Sequence, residues 1–391
     1  MKLEALDTPV PLVDLDRLER NLDRMAGYAR AHGLALRPHV KTHKSAWIAA
    51  EQLRRGAGGL TCATPRELEV MANAGDDLLL AYPPVGAPRV HRLLALPEAV
   101  DLAVSLDGPE AVEELAHAAR VVGRPVGVYV ELDVGMRRVG VGTPDDAVAL
   151  ARLVTARPPL EYRGIAFYPG HIREPVAEQD RQLEALGRAL GAAVEALDRA
   201  GLRPPVVSGG STPTAWRSHE LPGLTEIRPG TYVFNDRATA AAGACAWDDC
   251  ALTVLATVVS TAVPGQAVID AGSKALGREP LRGARSGGGP AGGPEADGFG
   301  SLLDHPEVVV RAMSEEHGIL DLGRTGWRPR VGDLVRVVPN HVCVVVHLND
   351  VIHGVRGDSI ETSWTVEARG RSPFAPITRL AGAAGASLHP E

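Results

Sequence analysis

Short runs of apolar, β-branched residues alternate with longer segments in which apolar residues recur every three or four positions, over roughly the first 240 residues. This alternation predicts a series of strand–helix units. The helical periodicity is clearest at residues 110–122, 144–156 and 176–200. The predicted strands lie at residues 34–39, 59–64, 78–82, 102–106, 126–133, 162–169, 205–211 and 224–234. Eight strands separated by helices favour a closed (β/α)8 barrel over an open doubly wound sheet.

The pattern changes after about residue 248. Segments rich in Val, Thr and Ile, without long helical periods between them, occur at residues 252–263, 267–270, 334–347 and 359–367. They predict a mostly β second domain, so we expect a barrel over residues 1–247 and a β domain over residues 248–391, with residues 8–14 as a candidate extra strand of the second domain. Residues 282–300 are rich in Gly, Pro and Ala, which predicts a flexible loop.

The composition excludes several classes of protein. The 391 residues include 41 Lys and Arg against 48 Asp and Glu, a net charge of −7, and no basic block that would suit a nucleic-acid partner. The longest apolar stretch, residues 251–263, is shorter than the ~20 residues that cross a bilayer, and the N-terminus lacks a signal-peptide pattern. Four cysteines without a Cys-x-x-Cys pair make a disulfide framework improbable. We therefore expect a cytoplasmic protein with reduced thiols.

The first candidate for chemistry is the basic segment RPHVKTHK at residues 37–44, which ends the first predicted strand. In an extended chain Arg37, His39, Lys41 and His43 would share one face and point into the mouth of the barrel, where active sites of such barrels lie. The positive charges around Lys41 would disfavour its ammonium form, and a neutral amine is what Schiff-base formation requires. The alternative is a basic surface turn.

Two glycine-containing segments are candidates for anion binding, one directly after the seventh predicted strand and one in the region of the eighth. The sequence VSGGSTPT at residues 207–214 lets the backbone approach an anion closely and adds hydroxyl donors. The sequence RPGTY at residues 228–232 would supply further backbone N–H groups. Barrels often bind phosphate at these two positions, so a phosphate site is one interpretation and an ordinary Ser/Gly-rich turn is the other.

A third turn, DVGMRRVG at residues 133–140, follows the fifth predicted strand. Glycines bracket two arginines, one of which would reach a phenolate or a carboxylate if it turned inward. A solvated turn is the alternative interpretation, and the spacing alone favours it.

The sequence PNHVC at residues 339–343 suggests a metal pair. His341 and Cys343 lie two residues apart on a predicted strand and would point the same way. Imidazole with thiolate favours zinc over magnesium or calcium, and two protein ligands leave positions open for substrate. The alternative is a buried cysteine beside a hydrogen-bonded histidine. The polar run EEHG at residues 315–318 is a candidate source of further ligands.

Together these segments resemble the D-threonine aldolase and D-serine dehydratase group of alanine racemase-like (fold type III) pyridoxal-phosphate enzymes. The resemblance runs in order from Thr8-Pro9 to the C-terminal β domain, and the combination of RPHxKxHK with HxC is specific. It implies a (β/α)8 TIM-like barrel of the alanine racemase type followed by a mostly β domain. Single-barrel pyridoxal-phosphate carrier proteins lack that second domain.

The resemblance also implies roles for residues. Lys41 corresponds to the lysine that carries pyridoxal 5'-phosphate, and Arg138 to the arginine that faces the cofactor ring. Tyr168 and His171 fall in a Tyr/His-containing loop beside the cofactor, and His341 with Cys343 match the metal pair. The residues that match the phosphate-binding loops are Ser208, Gly209, Gly210, Ser211, Thr212, Gly230, Thr231 and Tyr232.

The implied activity is that of a metal-activated lyase acting on a small β-hydroxy-D-amino acid. Dehydration would give a 2-oxo acid and ammonia, and retro-aldol cleavage would give glycine and an aldehyde. Cys343 slightly favours dehydration because a thiolate favours zinc. Serine dehydratases of the group have His-x-Cys, whereas its bacterial threonine aldolases often have His-x-Asp. Zinc is the favoured metal, with manganese or magnesium as alternatives. A homodimer is expected, and an amino-acid racemase or a non-catalytic cofactor-binding protein are the remaining alternatives.

Overall fold

The computed structural model describes residues 2–281 and 298–372. Its strands form two sheets, one parallel and one mixed. The first nine strands are β1 (Val10–Asp14), β2 (Ala35–Leu36), β3 (Leu60–Cys62), β4 (Asp77–Leu80), β5 (Asp101–Leu106), β6 (Val126–Leu132), β7 (Leu160–Phe167), β8 (Val206–Gly209) and β9 (Glu226–Ile227). The predicted loop at residues 282–300 lies outside the described residues except for its last three.

Strands β2 to β9 form the barrel. They pair in parallel in the order β2-β9-β8-β7-β6-β5-β4-β3. The ring is completed by a one-residue bridge between His39 and Thr61, where the Thr61 backbone N–H donates to the Pro38 carbonyl (2.9 Å). Strand β6 is buried along its whole length, as expected for a parallel strand covered on both faces. The predicted barrel is therefore confirmed.

Two predicted barrel strands are much shorter than expected. Only Glu226–Ile227 of the predicted strand 224–234 pairs as a strand, and Thr231–Val233 forms a 3₁₀ turn. Pro229 lies between them, and proline has no N–H for a sheet ladder. Residues 34–39 form a strand only at β2, which likewise ends just before Pro38. Both interruptions leave loop backbone at the barrel mouth.

Helices on the outside of the barrel follow the predicted pattern. They are α1 (Leu15–Ala31), α2 (Ala46–Arg54), α3 (Pro65–Met71), α4 (Ala87–Leu94), α5 (Pro109–Val122), α6 (Pro144–Thr155) and α7 (Asp180–Arg199), with the short α8 (Arg237–Ala241) after the last barrel strand. Side-chain caps begin several of them, as where the Thr143 hydroxyl accepts from the Asp146 N–H at 3.1 Å. Helix α7 buries Leu183, Leu186 and Leu190 against the barrel, the three- and four-residue spacing of a single helix face.

The second sheet contains the C-terminal strands and also β1. The remaining elements are β10 (Leu252–Ser260), β11 (Gln266–Ile269), α9 (Ser273–Leu276), β12 (Gly300–Leu302), β13 (Val310–Met313), β14 (Gly318–Asp321), β15 (Leu334–Pro339), α10 (Val342–Leu348), β16 (Val351–Arg356) and β17 (Ser359–Thr365). Strand β1 lies between β10 and β16, so the chain starts in this sheet before it enters the barrel.

The predicted strand 334–347 is wrong in its second half. Strand β15 ends at Pro339, and the Val-rich residues that follow form helix α10 with His341 as its N-cap residue. Val342, Val345 and Val346 are buried on one face of this helix. Burial of a helical face therefore outweighs the strand preference of β-branched residues. No helix in the described residues is long and apolar enough to cross a membrane.

Candidate active site

Lys41 lies at the barrel mouth in a turn instead of an extended strand. Val40–Thr42 forms a 3₁₀ turn that begins at His39, whose Nδ1 is the acceptor nearest the Lys41 N–H (3.5 Å). The expectation that alternate residues of this segment share one face is therefore wrong, because a turn with three residues per revolution spreads them in different directions.

The other basic residues of this segment are paired away from Lys41. Arg37 donates both terminal nitrogens to Asp77 (2.6 and 2.8 Å) and its Nε to Glu226 (2.8 Å). Lys44 forms a buried ion pair with Glu67. Because these carboxylates compensate the two charges, the expected cluster of unpaired cations around Lys41 does not occur.

The two histidines of the segment are buried to different degrees. His43 is completely buried, and burial lowers its pKa to about 3. Burial also lowers the pKa of His39, and the charges of Lys41 and Arg228 add to that effect. Both imidazoles are therefore neutral at pH 7, and only His39 lines the cavity that contains Lys41.

Two adjoining cavities meet at Lys41 and Tyr168. The first, of about 150 Å³, is lined by loop and helix residues that follow the barrel strands and by His341 and Cys343, which follow β15. The second, of about 240 Å³, lies within the barrel mouth and includes Arg138 and Arg228. The Tyr168 ring centre is 5.4 Å from Lys41 Nζ and 5.0 Å from the Arg138 guanidinium carbon. Lys41 thus borders both cavities, beside an aromatic face.

The two predicted phosphate loops meet at these cavities. Ser211 and Thr231 line the first cavity and Gly210 lines the second. Gly210 has a φ of +95°, a conformation that suits glycine. A Cβ on Gly209 would lie 2.3 Å from the Phe167 ring, so only glycine fits there without a shift.

Several other side chains of these loops point elsewhere. The Ser208 hydroxyl donates to Glu226 (2.5 Å) inside the barrel. The Tyr232 phenol accepts from the Gln52 side chain (3.0 Å), while its backbone N–H donates to the Thr212 hydroxyl (3.1 Å). These three side chains connect the loops to one another and to the core. Gly230 packs close to the turn that carries Lys41, since a Cβ there would lie 3.0 Å from the His39 carbonyl oxygen.

His341 and Cys343 face each other at the start of helix α10, although the predicted strand does not exist. The thiol of Cys343 lies 3.4 Å from the Thr42 hydroxyl, next to Lys41. The negative charge of Cys343 and the carboxylate of Asp236 raise the pKa of His341 to about 11 despite burial. Burial opposes ionisation of Cys343, but the charge of His341 lowers its pKa. Each group therefore favours the charged form of the other.

Asp236 is a functional residue that the sequence reasoning missed. Its carboxylate accepts from His341 Nδ1 (3.0 Å), from the Val342 N–H (3.3 Å) and from the backbone and hydroxyl of Thr239 (both 2.8 Å). Because Nδ1 is engaged by Asp236, Nε2 is the nitrogen with which His341 would bind a ligand. The spacing of Asp236 and Thr239 is a helix-capping signal, but it does not reveal the contact with His341 more than 100 residues away.

Two further groups in the second cavity were also missed. Arg228 donates one terminal nitrogen to the Phe167 carbonyl (3.0 Å), and its other terminal nitrogen, Nη1, is buried without a hydrogen-bond partner among the described residues. Glu131 is likewise buried with an unpartnered Oε2, and burial raises its pKa. The sequence signal for Glu131 is its position as a single acidic residue in the otherwise apolar strand β6, where a buried carboxyl needs a partner.

His171 and the EEHG run lie away from both cavities. His171 is exposed, and its ring covers Gly135, where an added Cβ would be 3.1 Å from Nε2. Glu315 and Glu316 form ion pairs with Lys274 (3.0 and 2.8 Å), so they are not ligands beside His341. Within the described residues no group of three or more His, Cys, Asp and Glu side chains is placed to hold a metal.

Comparison with known proteins agrees with this geometry. Residues 13–238 match the family described as alanine racemase, N-terminal domain, and residues 251–355 match the putative serine dehydratase domain. The D-threo-3-hydroxyaspartate dehydratase of Delftia sp. (strain HT23) is 35% identical over 378 residues, which are 93% of this chain and 97% of the relative.

Solved structures give the same result. D-threonine aldolase from Filomicrobium marinum superposes with a TM-score of 0.84 at 32% identity, over 94% of this chain and 97% of that one. A cysteine-to-alanine mutant of D-threo-3-hydroxyaspartate dehydratase in the metal-free form superposes with a TM-score of 0.81 at 33% identity, over 96% and 100% of the two chains. The resemblance inferred from the motifs is confirmed. The chain belongs to the D-threonine aldolase and D-serine dehydratase group of alanine racemase-like enzymes, which are pyridoxal-phosphate-dependent lyases.

Proposed function

We propose that this protein is a pyridoxal-phosphate- and divalent-metal-dependent lyase that dehydrates a β-hydroxy-D-amino acid to a 2-oxo acid and ammonia. The observation that carries the proposal is that Lys41, His341 and Cys343 line one cavity, with the Cys343 sulfur 3.4 Å from the hydroxyl of Thr42. An amine and a pair of metal-binding groups therefore lie within the reach of one small substrate.

The residues around Lys41 fit pyridoxal phosphate. The buried Nη1 of Arg228 is a donor without a protein acceptor among the described residues, which suits a ligand atom in the second cavity. Lys41 would link the aldehyde, and Arg138 and Tyr168 would face the ring, whereas His171 lies too far from the cavities for the role that the resemblance implies. Gly209, Gly210, Ser211, Gly230 and Thr231 would hold the phosphate, while Ser208, Thr212 and Tyr232 support these loops through the contacts described above.

The residues around His341 fit a divalent metal. His341 Nε2 and the Cys343 thiolate are two protein ligands, and Asp236 orients the imidazole from behind, as carboxylates do in many zinc sites. Thiolate with imidazole favours zinc, with manganese or magnesium as alternatives. Two protein ligands leave coordination positions for water and substrate.

The bound groups supply the difficult chemistry: the cofactor acts as an electron sink for charge at Cα, and the metal acts as a Lewis acid toward the β-oxygen. Once the substrate amine has taken its place on the aldehyde, Lys41 Nζ would be the base that removes the Cα proton, since it is the amine at the junction of the two cavities. The Tyr168 ring lies beside this amine. Loss of the β-hydroxyl then gives an enamine, which hydrolyses to the 2-oxo acid and ammonia.

Retro-aldol cleavage is the second candidate, since a relative of similar fold is a D-threonine aldolase. That reaction needs a base for the β-hydroxyl proton. The carboxylate of Asp236 accepts from four donors, and His171 lies outside the cavity. Lys41 is then the remaining base among the described residues that line the first cavity, apart from the metal ligands themselves. The same amine serves either reaction, so the preference for dehydration rests on the His341–Cys343 pair and the products decide between the two.

The test is to incubate the cofactor- and metal-loaded protein with D-serine, D-threonine and 3-hydroxy-D-aspartate. Formation of 2-oxo acids and equimolar ammonia supports dehydration, whereas glycine and an aldehyde from D-threonine would establish the aldolase instead. His341→Ala should abolish lyase activity and leave the cofactor absorbance unchanged. His317→Ala, which alters an exposed imidazole, is the matched control and should retain activity. Activity that survives a chelator would contradict the metal role.

The remaining predictions concern organisation. We propose that the protein is a homodimer and acts on a small-molecule substrate. We also propose two domains, residues 1–247 and residues 248–391, with strand β1 of the N-terminal segment pairing in the second sheet. Size-exclusion chromatography coupled to light scattering tests the dimer, and a monomer that turns over D-amino acids would contradict it.

A further inference from the structure

Arg173 is a cation in the first cavity that the mechanism does not use. It lies in the loop after β7, and its side chain lines the same cavity as Lys41, His341 and Cys343. Its Nε donates to the Gly170 carbonyl (2.9 Å), which fixes the arm of the side chain. In the described part of the chain its two terminal nitrogens form no ion pair. A fixed guanidinium with free donors is suited to bind a carboxylate.

Arg173 lies beside the wall where the substrate side chain would extend. The β-hydroxyl belongs at the His341–Cys343 pair, and Asp236 connects this pair to helix α8. Ala238 and Ala242, one helical turn apart, present small side chains to the cavity. The Val176 N–H donates to the Ala242 carbonyl (2.9 Å), which holds the loop of Arg173 against this helix.

The charges of the cavity also favour a second acid. Asp236 is the carboxylate that lines it, and its oxygens are satisfied by four donors, so it would repel an incoming anion less than a free carboxylate would. A methyl or hydrogen substituent on Cβ would leave the Arg173 donors to water. A β-carboxylate would accept them in bidentate geometry.

On the basis of the proposed lyase function, we propose that Arg173 is the specificity-determining residue that selects β-hydroxy-D-amino acids with a second carboxylate, of the 3-hydroxyaspartate type. Arg173 binds the β-carboxylate, while the groups on Cα stay near Lys41. Because Arg173 is exposed, water competes for its donors and the selection is moderate, about tenfold in KM.

The experiment compares wild type, Arg173→Gln and Arg173→Lys as holoenzymes. With Arg173→Gln, KM for 3-hydroxy-D-aspartate should rise about tenfold, whereas KM for D-serine should stay within about twofold and kcat should be unchanged for both. Arg173→Lys keeps the positive charge but lacks the two parallel N–H donors of the guanidinium, so its KM for 3-hydroxy-D-aspartate should lie between those of wild type and Arg173→Gln. Arg188→Gln, an exposed arginine on α7, is the matched control and should behave as wild type.

Binding of unreactive analogues supplies a readout that needs no turnover. D-aspartate and D-alanine lack the β-hydroxyl, and their binding is measured from the change in cofactor absorbance. Arg173→Gln should weaken the binding of D-aspartate about tenfold and leave the binding of D-alanine unchanged. Equal weakening of both would assign Arg173 to the α-carboxylate, and weaker binding of pyridoxal phosphate to the apoprotein would assign it to the cofactor phosphate.

Either of those results, or no change at all, overturns the proposal. Failure of the proposed lyase function is seen separately, as the absence of product from wild type with every β-hydroxy-D-amino acid. The binding comparison of D-aspartate with D-alanine remains informative in that case.

Discussion

Two segments suggested chemistry, and they differ in the folded structure. The polar side chains of residues 37–44 point to different partners, whereas those of residues 339–343 come together. The first contains five basic or imidazole side chains, and the fold disperses them. Arg37 pairs with Asp77 and Glu226, and Lys44 pairs with Glu67, so Lys41 alone of its lysines reaches the cavity. In the second segment His341 and Cys343 converge, and Asp236 joins them from elsewhere in the chain.

The difference follows from charge. Like charges that are adjacent in sequence are costly to bury together, so the buried Arg37 and Lys44 are paired with carboxylates. An imidazole and a thiol attract each other when ionised, so the second segment closes on itself. The residue types of a polar run therefore suggest chemistry, but the charges around them decide which of its members meet in the site.

The largest expected effect distinguishes the two lysines of the first segment. Lys41→Ala should lower kcat/KM by at least ~10²–10⁴-fold, because the base for the Cα proton is lost. The absorbance of the lysine-bound cofactor should disappear, as measured by ultraviolet–visible spectroscopy. Lys274→Ala, which removes an exposed ion pair, is the control and should retain both the kcat/KM and the cofactor absorbance of wild type. Persistence of the absorbance in Lys41→Ala would contradict the assignment.

Lys44→Met should instead affect stability. It leaves the buried Glu67 without its cation, which costs about 3–5 kcal/mol in the free energy of unfolding. Urea denaturation measures this loss, and the cofactor absorbance should persist in the folded protein. Adding Glu67→Gln should recover part of the stability, since no buried charge then remains unpaired. If the single variant is as stable as wild type, the ion pair contributes nothing.

In the second segment, Asp236→Asn should weaken metal binding by ~10–100-fold, because the carboxylate no longer orients His341. Competition with a chromophoric chelator measures the dissociation constant. Asp236 also caps helix α8, so Thr239→Ala serves as the control that weakens the cap and spares the contact with His341. Equal losses of metal affinity in both variants would show that only the helix cap matters.

The effect that is smallest near neutral pH concerns His43, whose pKa in the folded protein is about 3. The unfolded chain, with a histidine pKa of about 6.5, binds more protons between these values. The free energy of unfolding contributed by neutral His43 should therefore fall as the pH falls through this window, by up to about 1.4 kcal/mol per pH unit. His43→Gln should reduce that slope in urea titrations across the window.

The exposed His91→Gln is the control for this comparison and should leave the slope as in wild type. A slope in His43→Gln equal to that of wild type would mean that the imidazole of His43 is not held neutral by the fold.

Much of the barrel could be predicted from the sequence because its signals are local. Continuous apolar runs such as β6 and the periodic stripe of α7 need no distant information. The predicted extension of β15 failed because Pro339 stops the strand and the valines after it are buried on a helix face. Whether these valines form a strand or a helix depends on which surface packs against them, and strand propensity carries no information about that surface.

The candidate site was predicted in part. Lys41, His341 and Cys343 were identified by residue type and spacing, and the cavity contains all three. The role of Asp236 depends on its contact with His341 on another element. Glu131 and Arg228 stand out because each has a buried polar atom without a partner among the described residues. His171 was placed beside the cofactor by resemblance, yet its ring lies over Gly135.

By itself the sequence determined the order of strands and helices, the presence of a second β domain and the residue types available for a cofactor lysine and a metal pair. Only the tertiary structure decided which lysine faces the cavity, which carboxylates neutralise its neighbours and which acid orients the histidine. Periodicity and turn chemistry act over a few residues, whereas ion pairing and desolvation depend on groups brought together from distant parts of the chain.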